Sequence, residues 1–423
     1  MSGNLKQKLK SLLIWSQKFT KTDMIYAAKG GFWITFEKII FNAIGAVSFI
    51  AFANLLSRES YGIYQYILSM AAMFSIFSLP GIDTAVTFSV AAGREGSYFD
   101  AFKNKIKFGL TAGLISLSFS AYYFWHGNSI LGLGFAIAGI FLPIIESLYL
   151  YNAFLLGKKQ FKYYSSNNIT EKIICSGFII IALFLTKNIP LLIFVFYAPR
   201  LLIRIYFIIK YWRLFTPNAE KDPAVIRFGK HLTLMNVLGI VASQIDDILI
   251  FQWLGAVPAA IYAFAITPIQ KMQDFLLGNI NSLAMPKAGE KSEVDLKRII
   301  PKKVATLTLL IIPVIVIYIL SAPFIFKILL PKYLSAVIYT QLLSLSLLFL
   351  PKTLFSLALT AKAKKKELYI ANTVIPAVKI TLFLTLLPFF GIWGMVISII
   401  FSEALSWVIF AILFKTSRSD EKL

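Results

Sequence analysis

Arg200 and Arg204 stand four residues apart within the apolar stretch Ile189–Lys210. At that spacing two side chains share one face of a helix. Paired guanidinium groups present rigid forks of N–H donors, which match carboxylate or phosphate oxygens better than a point charge does. Lys38, Lys172, Lys271, Lys352 and Lys379 also fall inside apolar stretches, as do Glu37, Asp83, Glu146, Glu171, Asp246, Asp247, Asp274 and Glu403. A charge near the middle of a bilayer costs about 2.5–3.5 kcal/mol on insertion scales, so each of these must face a partner or water. The cations are therefore candidates for holding an anion that leaves water: Arg200, Arg204 and Lys379 first, then Lys38, Lys172 and Lys271. Lys352 lies nearer the end of its stretch and can snorkel. Asp246, Asp247, Glu146 and Asp83 are candidates for ion exchange, because a buried carboxylate can take a proton near neutral pH. Asp246 and Asp247 are neighbours, about 100° apart on a helix, and are not read as a dyad. The competing assignment for the whole set is internal pairing, for instance Lys271 with Asp274 at i, i+3, or Glu37 and Glu171 with cations on other helices.

Other chemistries lack their residues. Cys175 is the single cysteine, and His126 and His231 are far apart, so neither a disulfide nor a thiolate or zinc framework is expected. No G-x-x-x-x-G-K-[ST] loop occurs, and no metal or cofactor is expected.

The elements that must position these charges follow from composition. The chain of 423 residues is 58% hydrophobic and 15% charged, too apolar to cover itself in water. A hydrocarbon layer about 30 Å thick needs roughly 20 residues of helix. Stretches of that length fall near 31–56, 62–91, 106–125, 130–156, 163–186, 189–210, 228–254, 258–285, 302–321, 333–361, 368–388 and 390–414. The fold expected is an all-α polytopic membrane protein with about twelve spanning helices. Pro80, Pro143, Pro199, Pro268, Pro351 and Pro376 predict kinks.

The net charge of +22 would suggest nucleic acid on a soluble protein. Its placement argues otherwise. With the N-terminus inside, 31 of the 42 Lys and Arg fall in cytoplasmic segments, four in outside loops and seven within spans. This alternation holds at every loop, as the positive-inside rule requires, so both termini are placed in the cytoplasm. No nucleic-acid partner is expected. Residues 1–30 carry six lysines with Leu5, Leu9, Leu12 and Phe19 at helical spacing, and no cleavable signal. They read as a basic amphipathic arm on an anionic inner leaflet.

Ala53–Tyr64 aligns weakly with Phe251–Tyr262, each at the first outside turn of a half. The division expected is a six-helix bundle at 31–215 and a second at 216–423, the latter with a basic tail. Six helices per half give a parallel repeat, with a substrate path between two bundles that rock against each other.

The tight turn at Leu55-Leu56, then Tyr61-Gly62-Ile63-Tyr64, then a long helix reaching Leu79-Pro80-Gly81-Ile82-Asp83-Thr84-Ala85, resembles the opening of polysaccharide-unit flippases. These belong to the multidrug/oligosaccharidyl-lipid/polysaccharide exporter (MOP) superfamily, and the length, helix number and short loops fit along nearly the whole chain. The usual turn glycine is replaced by Ser57, and the second half is more divergent. The resemblance implies two bundles around an alternating-access cavity. It implies movement of an undecaprenyl-pyrophosphate-linked oligosaccharide across a bacterial cytoplasmic membrane for O-antigen, capsule or exopolysaccharide, with polymerase machinery as a candidate partner. The intramembrane cations would then face the pyrophosphate in a cationic interior. A multidrug cation antiporter of the same superfamily is the alternative, which such an interior disfavours. A membrane enzyme of polysaccharide assembly is another; neither histidine sits in a catalytic constellation.

Overall fold

The computed structural model describes residues 24–290 and 292–417, with side chains described over 31–276 and 292–417. Most of the basic arm, and the tail beyond 417, lie outside the described residues. No strand occurs among the described residues.

The helices are α1 (Met24–Leu55), α2 (Arg58–Phe74), α3 (Gly81–Ala91), α4 (Ser97–Trp125), α5 (Ser129–Leu148), α6 (Leu150–Gly157), α7 (Phe161–Leu185) and α8 (Ile189–Leu214). They continue as α9 (Val225–Leu254), α10 (Ala256–Glu290), α11 (Glu293–Leu329), α12 (Val337–Leu343), α13 (Thr353–Ala361), α14 (Lys365–Phe390) and α15 (Ile392–Thr416). Three passages are composite: α2 with α3, α5 with α6, and the run from Pro331 through 3-10 turns to α13. The twelve apolar stretches thus map one to one onto twelve helical passages, six in each half.

Nine of these, among the described residues, are long and apolar enough to cross a membrane, and the α2–α3 pair makes a tenth. The other two are α4 and α10. Ser116, Ser118, Ser120, Tyr122 and Tyr123 dilute α4, and Gln270, Lys271, Gln273 and Asp274 dilute α10. α4 lies along α5, and α10 against α2.

Of the prolines, Pro80 follows Leu79, which takes a left-handed conformation (φ 56°), and α2 and α3 meet there at 48°. Pro351 falls in a 3-10 turn, whereas Pro143, Pro199 and Pro376 sit inside unbroken helices. Lysine-rich turns mark one end of the bundle, called the basic end below.

The two halves meet along one seam, α2 and α3 against α9 and α10. Glycines set its closeness. A Cβ on Gly62 would lie 1.9 Å from the Ala256 carbonyl oxygen, so the two aligned repeat segments touch backbone to backbone at the end opposite the basic one. Nearer the basic end, Gly81 abuts Gly229 and Thr233, and its N–H donates to Thr233 Oγ1 at 3.0 Å. Between these points Tyr66 stacks on Phe251 (4.0 Å between centroids), and Gln252 donates to Tyr66 and Tyr123.

At the end opposite the basic one an aromatic plug closes the seam. Phe264 of α10 packs on Phe49 (4.5 Å), Tyr61 (4.6 Å) and Tyr333 (3.8 Å). Lys332 Nζ donates to the Asn54 and Leu56 carbonyls at the C-terminus of α1, where the helix dipole favours a cation, and Asn54 donates back to the Leu329 carbonyl.

At the basic end the segment joining the halves is bound to the first half. Gly96 N–H donates to the Glu220 carbonyl (2.8 Å), Asn218 donates to the Gly93 carbonyl (2.7 Å), and Asp222 N–H donates to Ser97 Oγ (2.7 Å). Arg94 pairs with Asp222 and Lys221 with Asp100.

Candidate functional site

α7 and α8 place the charges because each is apolar on most of its surface and polar on one stripe. Asn168, Glu171 and Lys172 fall on one turn of α7, and Arg200 and Arg204 on successive turns of α8. The stripes face each other directly, and α5 packs against α8 beside them. Together with Phe41 of α1, Gln65, Ser69 and Ser75 of the second passage, Glu146 and Tyr149, and Gln244 of α9, they line a cavity of about 520 Å³.

The core of the site is one carboxylate between two arginines. Glu171, 8% exposed, accepts from Arg204 Nη2 at 2.7 Å and from Arg204 Nε at 3.1–3.2 Å. It also accepts from Arg200 Nε at 3.2 Å. Arg204, 7% exposed, spends a further donor on the Ile145 carbonyl at 2.9 Å and stacks over Tyr149. Arg200 is less buried and lies over the Phe196 ring at 4.2 Å. Lys172 sits over Phe41 and feels the charges of Arg200 and Lys271. Glu146 makes no hydrogen bond or ion pair among the described residues, while lying within electrostatic reach of Arg204 and Asp83. The lining charges are thus three cations and two carboxylates, a small positive excess.

Three of the six expected cations, Arg200, Arg204 and Lys172, meet in this cavity. Lys38, Lys271 and Lys379 are not among its lining residues. Lys38 is exposed on α1, Lys271 pairs with Asp274 at 3.5 Å, and Lys379 lies over Phe383. The anticipated internal pairing of Glu171 is therefore present, and its partners come from α8. Lys352 pairs with Glu403.

The four carboxylates considered for ion exchange separate. Glu146 faces the cavity. Asp246 is buried and accepts from Tyr262 Oη at 2.6 Å. Asp247 lies on the seam beside the cavity wall, its Oδ2 accepting from Gln65 Nε2 and Ser69 Oγ at 2.9 Å each. Asp83 binds Lys105 Nζ at 2.6 Å, and that lysine side chain is fully buried. Lys105, expected among the cytoplasmic charges, is thus a buried partner of Asp83 rather than an exposed loop lysine. Sequence reasoning passed over Gln65, Ser69, Asn168 and Gln244, which are neutral; the i, i+4 spacing of Gln65 and Ser69 in an apolar helix was the available signal.

Asp247→Asn separates scaffold from charge, because an amide oxygen can still accept from Gln65 and Ser69. If Asp247 carries the coupling ion, the variant is expected to be present in the membrane at the native level and to transport without response to an imposed pH gradient. A native response in Asp247→Asn vesicles removes Asp247 from the candidates.

The fold is that of MOP-superfamily transporters. A MOP superfamily transporter from Pyrococcus furiosus, described as having a binding pocket of reverse polarity, superposes with a TM-score of 0.60 at 12% identity, over 92% of this chain and 95% of the other. An outward-facing MATE family multidrug transporter gives 0.60 at 12% identity, with coverage of 92% and 95%. The lipid II flippase MurJ in an inward closed conformation gives 0.61 at 16% identity, over 92% and 88%. No curated protein sequence matches the chain. Residues 27–286, more than half of the chain, match the polysaccharide biosynthesis protein family, and the chain belongs to that family. The resemblance read in its opening residues leads to the same place.

Proposed function

We propose that the protein flips an undecaprenyl-pyrophosphate-linked oligosaccharide from the inner to the outer leaflet of a bacterial cytoplasmic membrane, with its basic end in the cytoplasm. The observation that carries this is the juxtaposition of Arg200, Arg204 and Lys172 in one intramembrane cavity. Two guanidinium groups and an ammonium suit a pyrophosphate and repel the cations that a drug antiporter takes. The family match supports a polysaccharide precursor, and the likeness to a lipid II flippase supports a fold able to carry a lipid-linked sugar. The other side of α7 and α8 supports a lipid-linked cargo too. There, Ile174, Phe178, Phe194, Leu202 and Phe207 line an apolar groove of about 570 Å³, beside Pro199 and directly behind Arg200.

An inside-negative potential favours outward movement of an anion by about 2.3 kcal/mol per charge per 100 mV. Transport of a doubly charged pyrophosphate is therefore expected to respond to voltage, with ion coupling assisting. In proteoliposomes holding a fluorescent prenyl-pyrophosphoryl sugar, the native protein should expose it to the opposite leaflet faster under an inside-negative voltage. Arg200→Ala should lose at least tenfold in rate at a native protein level. Full activity in both Arg200→Ala and Lys172→Ala would overturn the assignment of the cations to the cargo.

A further inference from the structure

We infer that Glu171 is a built-in counter-anion: it occupies the arginines of the empty carrier, is displaced from them by the pyrophosphate, and takes up a proton as it is displaced. This deepens, and rests on, the function proposed above.

The geometry states the competition. Arg204 gives Nε and Nη2 to Glu171, and Arg200 gives it Nε, so a pyrophosphate that takes both forks must displace Glu171. Glu171 and Arg204 are buried and Arg200 is half-buried, so little solvent is at hand to replace the arginines around the carboxylate. Its other charged or titratable neighbours are Lys172 and Cys175 on its own helix, Glu146 on α5, Tyr149 at the α5–α6 junction, Tyr151 on α6, and, one turn away, Glu37, which accepts from Asn168. Lys172 alone among these is a cation, and it points to Phe41.

Charge counting then decides the proton. Arg200, Arg204 and Lys172 against Glu171 and Glu146 leave the empty cavity with one positive charge. A pyrophosphate diester brings two negative charges, which would leave the loaded cavity at minus one in a low-dielectric site. One proton on the displaced Glu171 restores neutrality, and a buried carboxylate without a cationic partner is more cheaply neutral than charged. The proton comes from water and no bond other than O–H changes. The empty carrier, meanwhile, holds the Arg204 fork already paired against stray phosphate.

The test uses the full chain in detergent and a short-chain prenyl-pyrophosphoryl N-acetylglucosamine, a diester with no group that titrates near neutrality. Calorimetry in two buffers of different ionisation enthalpy counts protons. The native protein should take up close to one proton per ligand and bind more tightly as pH falls. Glu171→Gln keeps an acceptor for the arginines but no charge. It should bind on the order of 10-fold more tightly, within the usual range for coupled ligands, with no proton uptake and a flat pH profile. Native binding without proton uptake overturns the inference and leaves the proposed function standing. So does uptake that persists in Glu171→Gln and disappears in Glu146→Gln. If Glu171→Gln does not fold, Glu171→Asp and the native proton count decide the same question. Absence of binding by native protein and Glu171→Gln alike overturns the proposed function itself.

Discussion

Arg204→Ala is expected to lower the stability of the protein and to abolish transport together. Removing the guanidinium strips Glu171 of its 2.7 Å partner and leaves a buried carboxylate facing only Arg200 Nε at 3.2 Å. Breaking a buried ion pair from one side costs about 3–5 kcal/mol, because the partner stays behind uncompensated. The Ile145 carbonyl also loses its donor. A thermal melt in detergent should fall markedly, and flipping in proteoliposomes should drop to background. The double change Arg204→Met with Glu171→Gln removes both charges, so most of the melting temperature should return while transport does not. That split assigns the arginine two jobs, one in the scaffold and one with the cargo. A native melt and native transport in Arg204→Ala would remove both.

Gly62→Ala is expected to hold the molecule open at the aromatic plug. The added Cβ meets the Ala256 carbonyl oxygen at 1.9 Å, its carbon at 2.6 Å and Cα at 2.9 Å, all backbone atoms that cannot swing aside. Conformations in which this end is sealed must then pay for a shifted α10. In a background with Cys175 replaced by Ala, Tyr333→Cys reports on the plug through its reaction with a membrane-impermeant maleimide. Its alkylation should accelerate roughly 10-fold or more, the equivalent of ~1.4 kcal/mol of bias. Transport should slow, since a carrier that cannot reseal one end cannot complete its cycle. An unchanged alkylation rate would mean that the seam closes elsewhere.

Much of the architecture was legible because a bilayer reads sequence crudely: twelve apolar lengths and a charge alternation suffice. The break at Pro80 was legible for a local reason, as was the Lys271–Asp274 pair, whose members are three residues apart. The centre of the site was not. Glu171 and Lys172 are sequence neighbours, and neighbours on a helix diverge by about 100°, so they could not satisfy each other. Which of the remaining cations Glu171 would take depended on how α7 and α8 pack, and periodicity does not carry that. The pairing of Lys105 was hidden for a related reason. Lys103 and Lys107 beside it have no such partner in sequence, and only the fold brings Asp83 to Lys105 from 22 residues away. Neutral Gln65 and Ser69 were invisible to a search that counted charges, yet they hold Asp247 at the meeting of the halves.

The strap of residues 218–222 across the turn at 93–100 bears on how the second half can swing. A covalent connection of ten residues between Leu214 and Val225 would ordinarily be a slack tether, leaving the second bundle free to slide as well as to tilt. Here the first half has already claimed the tether as far as Asp222. Beyond it, Pro223, its φ fixed by its ring, and Ala224, whose N–H donates to Asp222 Oδ1, lead directly into α9. The second half is thus joined through a short, hydrogen-bonded corner beside the Gly81–Gly229 crossing, where Val225 is buried in one cluster with Ile82 and Tyr98 of the first half. It can rotate about that corner but has almost no chain with which to translate. Any change between two arrangements of the halves would accordingly come from tilt rather than from sliding.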